Sequence, residues 1–200
     1  ASNADITEMK QSDKSLNMYI INKSILVNIL QNESHDFYTI KEMVRYMAQS
    51  HLVEKYEHHG YTAEISSLDA YYKTSMEILS PDVWKQLFIN ERPVFTKVKD
   101  EPPTRYAKKA VVKNSMIANG CVIEGHVENS IIFRGVKIGK GTVVKNSIVM
   151  QKGVILENSV LENVVLDKDV KIGSNETLLG ESGLPRVIAK GTTQGALMKS

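Results

Sequence analysis

Few side chains in this sequence are of the kind that makes or breaks bonds. His126 is the one histidine in the second half of the chain. A histidine beside an acceptor hydroxyl or amine can act as a general base in acyl transfer, but its place just before a repeated segment reads as a solvated turn. Cys121 is the single cysteine, which excludes an intrachain disulfide and leaves too few thiols for a zinc or iron–sulfur cluster. Its apolar neighbours make it a small core residue rather than a nucleophile. His58 and His59 are adjacent, and neighbouring strand residues point to opposite faces, so they do not form a joint metal site. Arg105, Lys108, Lys109 and Lys113 form a basic cluster that reads first as a solvated face, with binding of an anionic effector as the alternative its chemistry allows.

The elements that must position these residues are announced by a repeat. Val112-Lys-Asn-Ser-Met-Ile117, Val127-Glu-Asn-Ser-Ile-Ile132, Val144-Lys-Asn-Ser-Ile-Val149 and Leu161-Glu-Asn-Val-Val-Leu166 are four copies of one phrase, spaced by 15, 17 and 17 residues. A second phrase follows each: Cys121-Val-Ile123, Val136-Lys-Ile138, Val154-Ile-Leu156 and Val170-Lys-Ile172. A period near 17, built of six-residue pieces rich in β-branched side chains, is too short for paired helices and too regular for loops. It resembles the hexapeptide-repeat proteins, which implies a single-stranded left-handed parallel β-helix. Four coils would stand on the order of 20 Å tall at the spacing of a β-ladder. In this register Cys121 stacks with Val136, Val154 and Val170 inside the prism. Asn114, Asn129, Asn146 and Asn163 stack at a corner, where asparagine tolerates left-handed backbone and can form an amide ladder.

Ahead of the repeat the sequence reads as an α/β fragment. A strand is expected over 15–21, helices over 23–30 and 40–49, and a hairpin around 52–61. A helix over 67–79 has Ser67 as its N-cap and ends at Ser80-Pro81, with Tyr71, Tyr72 and Met76 as packing residues. The expected organisation is a purification-tag remnant over 1–4, implying that upstream sequence has been cut away, and the end of an α/β domain over 5–80. A proline-marked linker over 81–106, the β-helix over 107–192 and a tail over 193–200 complete it. The formal charge of +2 comes from 25 basic and 23 acidic residues spread along the chain, which argues against nucleic acid. No segment has the length and apolarity of a membrane span, and a cytoplasmic location is expected.

The α/β part carries a more specific likeness. Asn17-Met-Tyr-Ile-Ile-Asn-Lys-Ser-Ile-Leu26, then Gly60-Tyr61 with Leu68-Asp-Ala-Tyr-Tyr72 and Met76-Glu-Ile-Leu79, then Arg92-Pro-Val-Phe-Thr96 with Pro102-Pro103, resemble motifs of the glucose-1-phosphate adenylyltransferase (ADP-glucose pyrophosphorylase) family in their order. The resemblance implies the C-terminal part of such a subunit. Members that make ADP-glucose carry tryptophan, a metal-holding aspartate and glycine where this chain has Thr62, Glu64 and Ser66. Glu64 is thus a degenerate substrate or metal position, and the altered wording resembles the GlgD branch. That branch implies an assembly and regulatory role beside a GlgC-type catalytic subunit, in a homo- or hetero-oligomer. Mg²⁺ is expected for the parent family, and no cofactor or catalytic residue is expected in this chain. A hexapeptide acyltransferase using His126 and a purely structural module, docking through Ile131, Phe133 and Met150, are the alternatives.

Overall fold

A computed structural model describes residues 4–12, 14–32, 36–88, 94–95 and 99–196. Residues 1–3 of the expected tag remnant, Arg92, Pro93 and Thr96 of the third motif, and residues 197–200 of the expected tail lie outside them. The chain forms two compact units, residues 1–60 and 61–200.

The first unit is a three-stranded sheet with two helices. Strands β1 (Ile6–Gln11) and β2 (Lys14–Ile21) are antiparallel, and β3 (Val53–Glu57) runs parallel to β1 on its other side. Between β2 and β3 come α1 (Lys23–Asn32) and α2 (Ile40–Met47). Thr39 caps α2 by accepting the Glu42 N–H at 3.2 Å. The apolar face of α2 is buried: Met43, Val44 and Met47 close on Ile6 and Ile29. The hairpin expected around 52–61 does not form, because β3 reaches β1 through the helical crossover and pairs with it in parallel. The hairpin lies instead between β1 and β2, and β1 itself went unread from the sequence.

The second unit opens with α3 (Leu68–Glu77) and α4 (Pro81–Phe88). Ser67 caps α3 as expected, its hydroxyl accepting the Ala70 N–H at 3.1 Å. Both helices fall in the unit of the repeats rather than with the sheet of residues 1–60. From Arg105 onward the chain winds as a left-handed parallel β-helix of the hexapeptide type, with three flat faces. The first face stacks Arg105–Tyr106, Val122–Ile123, Lys137–Ile138, Val154–Ile155, Lys171–Ile172 and Thr193–Gln194. The second stacks Val111–Lys113, His126–Glu128, Val143–Lys145, Val160–Glu162 and Thr177–Leu179. The third stacks Met116–Ile117, Ile131–Ile132, Ile148–Val149, Val164–Leu166 and Arg186–Ile188.

Five rungs therefore stand where the phrases announced four coils. The fifth lacks the Asn-Ser wording and carries a small excursion closed by the Glu181–Leu184 bridge before the third face resumes. Residues Arg186–Ile188, within the β-helix expected over 107–192, continue that face and bury Ile188. The core is a column of aliphatic side chains including Val127, Val144, Leu161 and Leu178 from the second face and Ile132, Val149 and Leu166 from the third. Cys121, Val136 and Val170 join it as expected, but Val154 does not. Val154 pairs with Lys137 and faces outward, and Gly153 holds the inner position. A Cβ on Gly153 would come within 2.8 Å of Val149 Cγ1, so that methyl group occupies the space a valine would need.

The four corner asparagines have φ of 41°, 46°, 45° and 53°. Asn114 Nδ2 donates to Asn129 Oδ1 at 2.8 Å, and Asn129 Nδ2 to Asn146 Oδ1 at 3.3 Å. Substituting Asn129 separates the two contributions. Asn129→Gly keeps the left-handed backbone and loses the amide bonds, with an expected cost of about 0.5–1.5 kcal/mol. Asn129→Val loses both, adding roughly 1–2 kcal/mol. Urea denaturation of the two variants checks this, and equal losses would refute the conformational part.

Candidate functional site

Helix α3 lies on the third face. Tyr72 is buried there against Ile148 and Val165, with Tyr71, Met76, Phe133 and Met150 packed around them. The Tyr72 hydroxyl donates to the Asn146 carbonyl at 2.5 Å and lies 3.5 Å from Asn163 Oδ1, so the helix is bonded to the asparagine corner itself. Burial pushes the hydroxyls of Tyr71 and Tyr72 up from the ordinary tyrosine range. The packing role expected for Tyr71, Tyr72 and Met76 holds. The apolar face expected at Ile131, Phe133 and Met150 is different from that reading, because α3 covers Phe133 and Met150 from within the chain.

The segment carrying Glu64 is tied to these helices. The Tyr61 N–H donates to Gln86 Oε1 at 2.9 Å, and the Tyr61 hydroxyl donates to Glu77 Oε2 at 2.7 Å. Burial first, then the bond to Glu77 and its negative charge, pushes Tyr61 up to about 12. Residues 61–66 adopt no strand, and Glu64 and Ser66 are exposed. Among the described residues no group of three or more His, Cys, Asp or Glu side chains could hold a metal ion. An exposed glutamate on irregular backbone does not by itself supply the several fixed oxygens that Mg²⁺ demands.

The basic cluster belongs to the first rung but does not converge. Arg105 stands on the first face, its guanidinium 4.0 Å from the Glu124 carboxylate with both exposed, a geometry of little energetic weight. Lys108 and Lys109 occupy the turn, and Lys113 closes the second-face strand in register with Glu128. All four are exposed. A denser set of cations lines a cleft of about 460 Å³ at the corner between the third and first faces: Lys99, Arg134, Lys152 and Lys168, interspersed with Glu101 and Asp169. Its signal was present in the sequence, since Arg134, Gln151 and Lys168 are 17 residues apart, but it shows only when the turns are written in the same register as the strands.

His126 is not a turn residue. It opens a second-face strand between Val111 and Val143, its Nε2 3.3 Å from Glu128 Oε2. Cys121 is buried, its thiol donating to the Phe133 carbonyl at 3.1 Å. Burial raises its pKa, outweighing the hydrogen bonds that lower it, and a thiol held protonated is a poor nucleophile.

Two outcomes follow for solution chemistry. Cys121 should stay unlabelled by a thiol reagent at pH 8 in the folded chain and react once the chain is unfolded; rapid labelling of the folded form would contradict the core assignment. For Tyr61 the folded value stands above the ordinary value of 10.0. Its contribution to stability is therefore complete below about pH 10 and is lost as pH rises toward the folded value. Ultraviolet titration of the wild type against Tyr61→Phe should show one tyrosine step missing near the high end, while a missing step in the ordinary range would refute the assignment.

Comparison with known proteins bears on the whole chain. Residues 101–182 match the family described as "GlmU-like, C-terminal hexapeptide". Over 197 residues, 98% of this chain, the sequence is 51% identical to the glycogen biosynthesis protein GlgD of Bacillus subtilis, and over 97% it is 46% identical to that of Geobacillus stearothermophilus. The chain spans 57% of the length of each of these relatives. It is also 31% identical, over 69% of its length and 37% of the relative's, to the glucose-1-phosphate adenylyltransferase of Geobacillus stearothermophilus. The chain belongs to the GlgD family.

Proposed function

We propose that this GlgD-family chain serves the assembly and regulation of ADP-glucose synthesis for glycogen, beside a GlgC-type catalytic subunit in the cytoplasm. The reaction so governed joins ATP and glucose 1-phosphate into ADP-glucose and pyrophosphate. The observation that carries this reading is the pair of relatives from one organism. Geobacillus stearothermophilus has both a GlgD matching 97% of this chain and a glucose-1-phosphate adenylyltransferase matching 69% of it. Two related chains thus coexist, and the present sequence follows the one not named for the chemistry.

The local structure supports the same division of labour. Attack of a sugar phosphate on the α-phosphorus of ATP needs cations aimed at phosphates and a metal held in fixed geometry. Thr62, Glu64 and Ser66 replace the residues that synthesising members carry, and Glu64 is exposed. What the unit from residue 61 onward supplies is a stiff stack of rungs with α3 bonded to its corner, which suits transmission between subunits rather than bond-making. Among the described residues no helix is long and apolar enough to cross a membrane.

The test uses the full-length protein and the catalytic chain of the same genome, with ADP-glucose synthesis measured for each alone and for the mixture. Synthesis by the catalytic chain, altered in rate or effector response by the added partner and absent from this subunit alone, is the expected result. Robust synthesis by this subunit alone would overturn the reading.

A further inference from the structure

The three faces of the solenoid differ in what they present outward. The third is apolar and is covered by α3 through Tyr72. The first carries Arg105, Lys137 and Lys171 at every second rung, separated by Val122 and Val154. The second carries two registered columns. One is Val111, His126, Val143 and Val160, continued by Thr177. The other is Lys113, Glu128, Lys145 and Glu162, continued by Leu179. Val111 and Val160 stay 40% and 36% exposed.

The charged column alternates in sign at each rung, about 4.8 Å apart. Within the chain this neutralises neighbours, and Lys145 Nζ lies 3.7 Å from Glu128 Oε2. The alternation has a second property. A two-fold axis lying in the plane of the face, parallel to the strands and between the rungs of Glu128 and Lys145, reverses the order of the rungs. It sets Lys113 opposite Glu162 of a second copy and Glu128 opposite Lys145, so all four positions meet an opposite charge. The same operation sets Val111 against Val160 and His126 against Val143. An axis along the solenoid would instead set lysine on lysine and glutamate on glutamate.

We propose that the second face is a self-docking surface on which two copies of this chain pair antiparallel, as an isologous contact of the kind most dimers use. This inference rests on that face alone and is independent of the role in ADP-glucose synthesis. The four-rung patch, roughly 19 Å tall and, for three-residue strands, about 10 Å wide, covers about 200 Å², below the ~800 Å² per partner of a stable interface. The pairing therefore depends on concentration, and on ionic strength because its charges are partly exposed.

Sedimentation velocity of the 200-residue chain, over a range of concentrations and at low and high salt, reads the association directly. Two charge-reversed variants, Lys113→Glu with Lys145→Glu and Glu128→Lys with Glu162→Lys, each make the column one sign. Each alone should remain monomeric where the wild type dimerises, and an equimolar mixture of the two should restore a one-to-one dimer. Like charges on adjacent strands also strain the fold, so circular dichroism must show both variants folded. If they are not, Glu128→Gln with Lys145→Gln provides the reading, with dimerisation expected to weaken about tenfold, the loss of roughly one modest interaction. A wild type monomeric at every concentration, reversed variants that self-associate like the wild type, a folded mixture that does not pair, or a neutral variant that dimerises unchanged would each overturn the proposal.

Discussion

A solenoid with three faces per rung must turn the chain sharply at every corner while leaving no buried N–H without an acceptor. At the asparagine corner both demands are met by two consecutive residues. The asparagine takes the left-handed backbone, and the serine after it turns its hydroxyl inward. Ser115 Oγ accepts the Ser130 N–H, Ser130 Oγ accepts the Ser147 N–H, and Ser147 Oγ accepts the Val164 N–H, all at 3.1 Å. Each of the three hydroxyls donates in turn to a carbonyl two residues back. Thr142 and Ser159 repeat the device at another corner, accepting the N–H groups of Ser159 and Glu176. Buried polar groups of this kind are costly when unpaired, so the serine and asparagine positions fix the rung height on which every other contact depends.

From that fixed height follows how the rest of the second unit is attached. Tyr72 reaches a backbone carbonyl of the asparagine corner because the corner holds it at a known place, and α3 then shields Ile148 and Val165. Tyr61, bonded to Glu77 near the end of the same helix, extends the connection to the segment that holds Glu64. A carboxylate on that segment is placed by the solenoid's helix rather than by a sheet. The side chains with reactive potential, Cys121 and His126, serve this framework as core and strand residues.

The repeat made the solenoid legible because its wording is dictated by geometry. Asparagine marks the left-handed corner, serine the ladder, and β-branched residues the flat faces. Legibility failed where the reason for a residue is the lack of one. Gly153 carries no side chain into the core because Val149 already fills the space, and the neighbouring Val154 carries the apolar wording of the repeat in its place. It failed again where direction matters. The apolar pattern of β3 says strand but not which neighbour it joins, and a hairpin and a parallel crossover share that pattern. The cationic corner cleft was missed for a third reason, since its residues are remote in sequence and become neighbours only through stacking.

The alternating column of the second face also has a parity. Four charges that run plus, minus, plus, minus read as their own complement when reversed. Three or five would read the same in both directions and set like against like. A solenoid gains or loses length in units of one rung, here about 17 residues, so a single such step would turn a column in which every charge meets its opposite into one that must shift its register and leave a charge unpaired. A face of this type can thus change its choice of partner by a change of length, without altering any residue already on it.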